Sequence, residues 1–277
     1  MIGIFLILFF TFNLSFAKDL LLASTYPVYY PLSYMAGDKF SVDTLIKTQA
    51  DPHHYELKPS DIRRLQSAKA FFYLGVEGWE RKIARRLPKD KTYALNKNID
   101  FIKVGKHSDP HLWMSPRAYA KLVENVRDAL ISLDPSSADH YRKRYEEFMK
   151  ELKGLDEEYA KALSSCRNRI LIITHLSVLY LGRDYRLEVV GLRGVHAEEE
   201  PKPSEIRNMI ERARKAGVKY IFYEMGYDEK LVKTIANQVG AKIISINTSL
   251  FPEKEEDDYF SIMRRNLSRI AEGLNCP

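Results

Sequence analysis

The run DPSSADHYRKRYEEFMKELKGLDEEYAKALS, residues 134–164, decides the fold. Tyr141, Tyr145, Phe148, Leu152, Leu155, Tyr159 and Leu163 recur in it at steps of four and three, with Arg, Lys and Glu between them. That spacing puts one apolar stripe on a single helix, about 40 Å long at ~1.5 Å per residue. On either side the pattern changes. Short β-rich runs at 20–24, 40–46 and 70–74, and again at 170–174, 188–192, 219–223 and 242–246, alternate with amphipathic segments. Alternation of this kind predicts an α/β protein with mainly parallel sheets. One long helix midway through such a chain predicts two (βα)n lobes joined by it. We place the N-terminal lobe at 18–134, the connecting helix at 135–165 and the C-terminal lobe at 166–277. A helical connection permits less hinge motion than a flexible linker.

The shorter helices are punctuated by their ends. Ser115 is placed as an N-cap with Pro116 at the first helical position, followed by an apolar face of Ala118, Leu122, Val126, Ala129, Leu130 and Leu133. Ser204 opens a helix that stops at Gly217, and Asp228 opens another that stops at Gly240.

Residues 1–17 contain no charged side chain and are almost wholly apolar, which predicts a secretory signal cut after Ala17. No cysteine stands at that cut, so lipid attachment there is not expected. The net charge of +6 is scattered over helix faces among Glu and Asp, without an aromatic-basic module. It reads as solvated surface and excludes nucleic acid as the partner class. Cys166 and Cys276 suit an oxidising compartment; they either pair, tying back the C-terminus, or stand apart, and sequence separation does not decide between the two.

Histidines carry the functional signal. Asp109-Pro110-His111-Leu112-Trp113-Met114-Ser115-Pro116 delivers one from a loop just before a helix, and Asp51-Pro52-His53-His54-Tyr55-Glu56, ahead of Pro59-Ser60-Asp61, repeats the arrangement. Proline fixes its own φ and biases its predecessor toward extended backbone, so each imidazole leaves a stiffened loop. His175 ends the apolar run at 170–174, at the carboxyl end of the first strand of the second lobe. Open α/β sheets bind ligands at that end of their strands. Each histidine alone fits an ordinary loop or strand-capping role; three converging on one cleft fit a zinc-type metal site.

These residues resemble the cluster A-I periplasmic substrate-binding proteins of metal ABC importers, particularly the zinc-binding members. The likeness runs from Ser24-Thr25-Tyr26-Pro27 through Pro52-His53-His54-Tyr55, Asp109-Pro110-His111-Leu112-Trp113 and Thr174-His175 to Asn266-Leu267-Ser268-Arg269-Ile270-Ala271-Glu272-Gly273-Leu274. It implies His53, rather than His54, as first ligand, with His111 and His175 as second and third. It further implies Zn(II) as the transported ligand and a monomer that docks on the membrane permease of an ABC transporter. Three features depart from the family pattern. Of the long His- and acid-rich loop that many zinc members carry before the second ligand, only His107 remains. The fourth-ligand position, often Asp, falls on Asn247, a poor ligand beside a carboxylate, so the expectation is three imidazoles plus water or a carboxylate from elsewhere. The loop Val195-His196-Ala197-Glu198-Glu199-Glu200 offers a histidine or a Glu but is read as solvated. Glu224, ending the run before it, is read as cleft lining that supports a ligand rather than as a ligand.

Two other readings compete. An importer component for Mn(II) or Fe(II) would want more carboxylate oxygen than three neutral imidazoles supply. A secreted three-His zinc hydrolase or lyase would want a general base at the bound water, and no His-Glu-x-x-His helix, Ser-His-Asp arrangement or Gly-rich phosphate loop accompanies the histidines.

Overall fold

Each strand of the two main sheets is followed by a segment that carries the chain back over the sheet, so successive strands enter in the same direction. The computed structural model describes residues 18–47, 52–195, 201–225 and 229–277. In the first lobe β1 (Leu20–Ala23), α1 (Tyr26–Ala36), β2 (Ser41–Thr44), α2 (Pro59–Ser67), β3 (Ala70–Tyr73), α3 (Gly78–Ala84) and β4 (Thr92–Ala94) give a parallel sheet ordered β2-β1-β3-β4. A small antiparallel hairpin, β5 (Lys103–Val104) with β6 (His107–Ser108), precedes α4 (Pro116–Leu133) and α5 (Ala138–Ser164). The second lobe repeats the plan with β7 (Ile170–His175), α6 (Leu179–Tyr185), β8 (Glu188–Arg193), α7 (Pro203–Lys215), β9 (Tyr220–Glu224), α8 (Glu229–Val239), β10 (Lys242–Ile246) and α9 (Tyr259–Gly273), its parallel sheet ordered β10-β9-β7-β8. The architecture is thus the expected α/β one. Central strands are buried on both faces, as Leu21, Leu22 and Ala23 in β1 and Leu171, Ile172 and Ile173 in β7 show. The three-residue β4 and the two-residue strands of the hairpin carry no readable period and were not expected from the sequence.

The long helix forms as its periodicity predicts and buries Tyr141, Phe148, Leu152, Leu155, Tyr159 and Leu163. Tyr145 lies at the edge of that stripe, under the Arg127 guanidinium 4.4 Å from its ring centroid. The helix begins at Ala138 because Pro135–Ser137 form a 3₁₀ turn, in which Asp134 accepts hydrogen bonds from the Ser136 and Tyr141 hydroxyls. On one side α5 packs against α1 and α4, on the other against α6 and α9. One apolar cluster therefore runs from Phe72 and Tyr119 in the first lobe through Phe148 and Tyr159 to Ile173 and Phe260 in the second. Tyr119 of α4 stacks on Tyr259 of α9 with centroids 4.5 Å apart. Fully burying each such side chain contributes roughly 1.5–3 kcal/mol, so swinging the lobes apart about this helix is costly.

Local satisfaction follows the same logic. Pro31 inside α1 has no N–H to give the Pro27 carbonyl, and the Tyr119 hydroxyl donates to that carbonyl instead, at 2.5 Å. Ser115 stands at the N-cap of α4 as read from the sequence, but its hydroxyl donates to Asp184 of α6 and caps nothing. Cys166 and Cys276 form a disulfide, which ties the chain just past α5 to the C-terminus. Among the described residues no helix is long and apolar enough to cross a membrane. The expected signal at 1–17, the Asp228 helix start and the acidic loop 196–200 lie outside the described residues.

Candidate metal centre

His53, His111 and His175 come from three different parts of the chain and meet. One nitrogen from each lies within 4.8 Å of the others, and the ring centroids are 4.9 to 5.2 Å apart with near-perpendicular planes. All three side chains are buried. Rings that meet edge to face at this distance surround a small common volume instead of stacking on one another.

Behind each ring stands a buried carboxylate. The Nδ1 of His53 lies 2.9 Å from Glu77 Oε1, that of His111 2.7 Å from Asp109 Oδ1, and that of His175 2.9 and 3.0 Å from the two Glu224 oxygens. A neutral imidazole whose Nδ1–H donates to a carboxylate carries its lone pair on Nε2, the tautomer a metal needs, in a fixed ring orientation. Three carboxylates behind three neutral rings also give the centre a negative field suited to a divalent cation.

Local sequence explains each placement. Asp109 Oδ1 accepts both the backbone N–H of His111, at 2.9 Å, and its ring N–H, while Pro110 between them brings no competing donor. The following Trp113 fixes the segment across the cleft by donating to the Thr248 carbonyl at 2.7 Å, and Tyr180 of α6 donates to the Asp109 carbonyl at 2.9 Å. His53 follows Pro52, whose carbonyl accepts from the Trp79 indole at 2.8 Å. His175 ends β7 opposite Arg193 of β8, and Gly191, opposite Ile173, admits Leu176, whose Cγ would lie 2.4 Å from any Cβ at that position.

The protonation states differ among the rings. Burial, together with the neighbouring His175 and His53, drives the His111 pKa well below the ordinary histidine range, so that ring is neutral. Burial also works against charge on His175, but the Glu224 charge and hydrogen bond, helped by the Val195 carbonyl and Asp109, raise it overall. Burial pushes Glu224 up, yet the His175 charge and hydrogen bond bring it below its usual value. The Glu224 carboxylate thus favours a proton on His175, whose Nε2 lies 2.9 Å from the Val195 carbonyl oxygen.

The profile of the ZnuA family, described as zinc-uptake complex component A, periplasmic, matches residues 21–273. The chain belongs to this family. The zinc-binding protein AdcA of Streptococcus pyogenes serotype M18 is 28% identical over 301 residues, covering 95% of this chain and 58% of AdcA. The high-affinity zinc uptake system protein ZnuA of Bacillus subtilis is 28% identical over 272 residues, covering 90% of this chain and 85% of that one. The periplasmic zinc binding protein TroA from Treponema pallidum superposes with a TM-score of 0.87 at 20% identity, covering 93% of this chain and 99% of TroA, and so shares the fold. The chain spans a little over half the length of the AdcA relatives it matches.

Asn247 is fully buried, and its amide group donates to the Phe251 carbonyl at 2.8 Å and to Glu253 at 3.3 Å, while its oxygen accepts from Ser249. The side chain is thus spent on closing the 247–253 loop. A carboxylate at 247 would face an oxygen of Phe251 and another of Glu253 with no proton to share. Asn247→Asp should destabilise the protein by about 1–3 kcal/mol, with no gain for Mn²⁺ over Zn²⁺ in a competition titration. A variant of unchanged melting temperature with raised Mn²⁺ affinity would contradict this.

Glu224 occupies the supporting place read for it. Glu77 and Asp109 were missed as supports. Asp109 had a signal, its spacing of two from His111 across a proline; Glu77 had only its position in a turn just past β3.

Proposed function

We propose that this protein captures Zn²⁺ at His53, His111 and His175 in the periplasm and surrenders it to the permease of an ABC importer. Membership of the ZnuA family supports the reading. The observation that carries it is the set of three buried imidazoles, each held by its own carboxylate. The ligand set favours zinc, since the carboxylates are engaged behind the rings and three neutral nitrogens are offered in front. The same engagement speaks against a hydrolase, because these carboxylates orient imidazoles and are not poised as a base at a bound water. Water completes the tetrahedron in this reading. Residues 1–17 serve as the export signal, 18–134 and 166–277 as the lobes, and 135–165 as their connection, in a monomer.

Metal analysis and titration of protein purified without an affinity tag test this: one tightly held Zn²⁺ per chain is expected, and no uptake of zinc would refute it. Acid promotes release. His175 with a raised pKa takes up a proton before an ordinary histidine does, so as the pH drops zinc affinity begins to fall above the ordinary histidine value, whereas His111 resists protonation. The metal-free protein behaves oppositely at this pair. A raised His175 pKa contributes stability that is present below the unfolded value and lost as pH rises through the folded one. The melting-temperature gain on adding zinc should therefore be large at about pH 8 and small at about pH 5. A gain that did not change over that interval would count against proton competition at His175.

A further inference from the structure

The turn between β3 and α3 is gripped from both sides. Glu80, in the first turn of α3 and almost fully buried, accepts backbone N–H bonds from Leu74 at 3.2 Å, Gly75 at 2.8 Å and Glu77 at 3.3 Å. Arg81, next to it, donates to the carbonyls of Gly75, at 3.1 Å, and Val76. Gly75 has φ +86°, a conformation open to glycine, and a Cβ there would lie 2.8 Å from Asn96 Nδ2. The N–H groups of this turn thus face one carboxylate and its carbonyls one guanidinium. What the turn presents is Glu77, whose carboxylate meets His53 Nδ1. One residue after Glu80's own turn begins, Trp79 holds the Pro52 carbonyl that precedes His53.

Burying a carboxylate is expensive, and burial pushes the Glu80 carboxyl up to about 7 against the pull of its N–H partners. An ordinary capping box accounts for the bond from the Glu77 N–H alone; the bonds from Leu74 and Gly75 carry the same carboxylate back into the turn before the helix. The buried position does gain something specific, a rigid backbone under Glu77.

We infer that Glu80 is a positioning residue of the metal centre, which sets the His53 imidazole through the backbone of the turn and the Glu77 carboxylate. Glu80 touches neither metal nor ligand. It removes the freedom of Glu77 to follow solvent, and so keeps the Nε2 lone pair of His53 aimed at His111 and His175. The inference rests on the reading of those three histidines as the zinc ligands.

A double-mutant cycle on the full chain tests it, with Zn²⁺ affinity measured by competition with a chromogenic chelator. Glu80→Gln keeps the shape but offers one acceptor oxygen where the turn needs two. Losses of ten- to a hundredfold are usual when groups supporting a metal ligand are removed, and we expect about tenfold for Glu80→Gln. In a Glu77→Ala background the same change should cost less than about twofold, because the path to His53 is already cut. The circular dichroism and melting of the metal-free variant are recorded alongside, and Glu80→Asp, which keeps the charge but shortens the arm, should fall between wild type and Glu80→Gln. An unchanged affinity in Glu80→Gln overturns the inference. So does an equal loss with and without Glu77, which would make Glu80 a fold residue only. Wild type and His53→Ala are measured in the same series: if His53→Ala binds zinc as wild type does, the reading of the centre itself fails and this inference with it, whereas a damaged His53→Ala beside a neutral Glu80→Gln removes the inference alone.

Discussion

Replacing His53, His111 or His175 singly by alanine is expected to weaken Zn²⁺ binding about a hundredfold or more, whereas His54→Ala and His107→Ala leave it within about threefold. The difference is one of placement. The first three are buried and share a volume in which their nitrogens lie within 4.8 Å of one another. His54 is exposed, although it adjoins His53, and His107 is half-buried on the small hairpin. Both line the open polar cavity on the outer side of the His53–Glu77 pair, which also includes Glu56, Arg81 and Lys82 and does not include His111 or His175. Removing one imidazole leaves two nitrogens and a carboxylate whose partner is gone, so the loss exceeds that of any group acting behind a ligand. Titration of metal-free variants against a competing chelator checks this. His54→Ala as damaging as His53→Ala would mean that the wrong neighbour had been assigned.

The second large effect concerns stability. Converting Cys166 and Cys276 together to serine should lower unfolding free energy by roughly 4 kcal/mol and the melting temperature by about 10 °C, since the bond closes a loop with a sequence separation of 110. Most of that cost arises in the unfolded chain, which regains the freedom the cross-link removed. Cys166 precedes the amino end of β7 and His175 stands at its carboxyl end, a strand of 6 residues or roughly 17–20 Å away, so zinc affinity at a temperature where the variant is folded should stay within about threefold of wild type. Melting of the variant and of reduced wild type measures the first quantity. A change below about 2 °C would show that the ends are held together by packing alone.

Much of this protein was legible beforehand, and the reasons are physical. The long helix was readable because seven apolar residues repeat over 134–164 with few interruptions. The strands of the two sheets other than β4 were readable as apolar runs because strands of parallel sheets are buried on both faces. His175 was readable because an apolar run fixed its strand end, and His53 and His111 because proline marks their loops. The supporting carboxylates were less so. Glu77 reaches His53 from 24 residues away and Glu224 reaches His175 from 49 away, distances over which no local spacing carries information. Glu224 was found through its place at a strand end, which Glu77 lacks. Asn247 was read by its type as a poor ligand, and only the surrounding acceptors of the 247–253 loop show that its amide is needed as a donor.

The central claim is that three histidine nitrogens hold the metal. X-ray absorption at the zinc edge of protein loaded with one equivalent measures this directly. The account predicts a four-coordinate shell of nitrogen and oxygen at about 2.0–2.1 Å with the outer-shell scattering pattern of three imidazoles and no sulfur, the cysteines being joined to each other. A shell with one imidazole or none, filled by carboxylate oxygens, would contradict it.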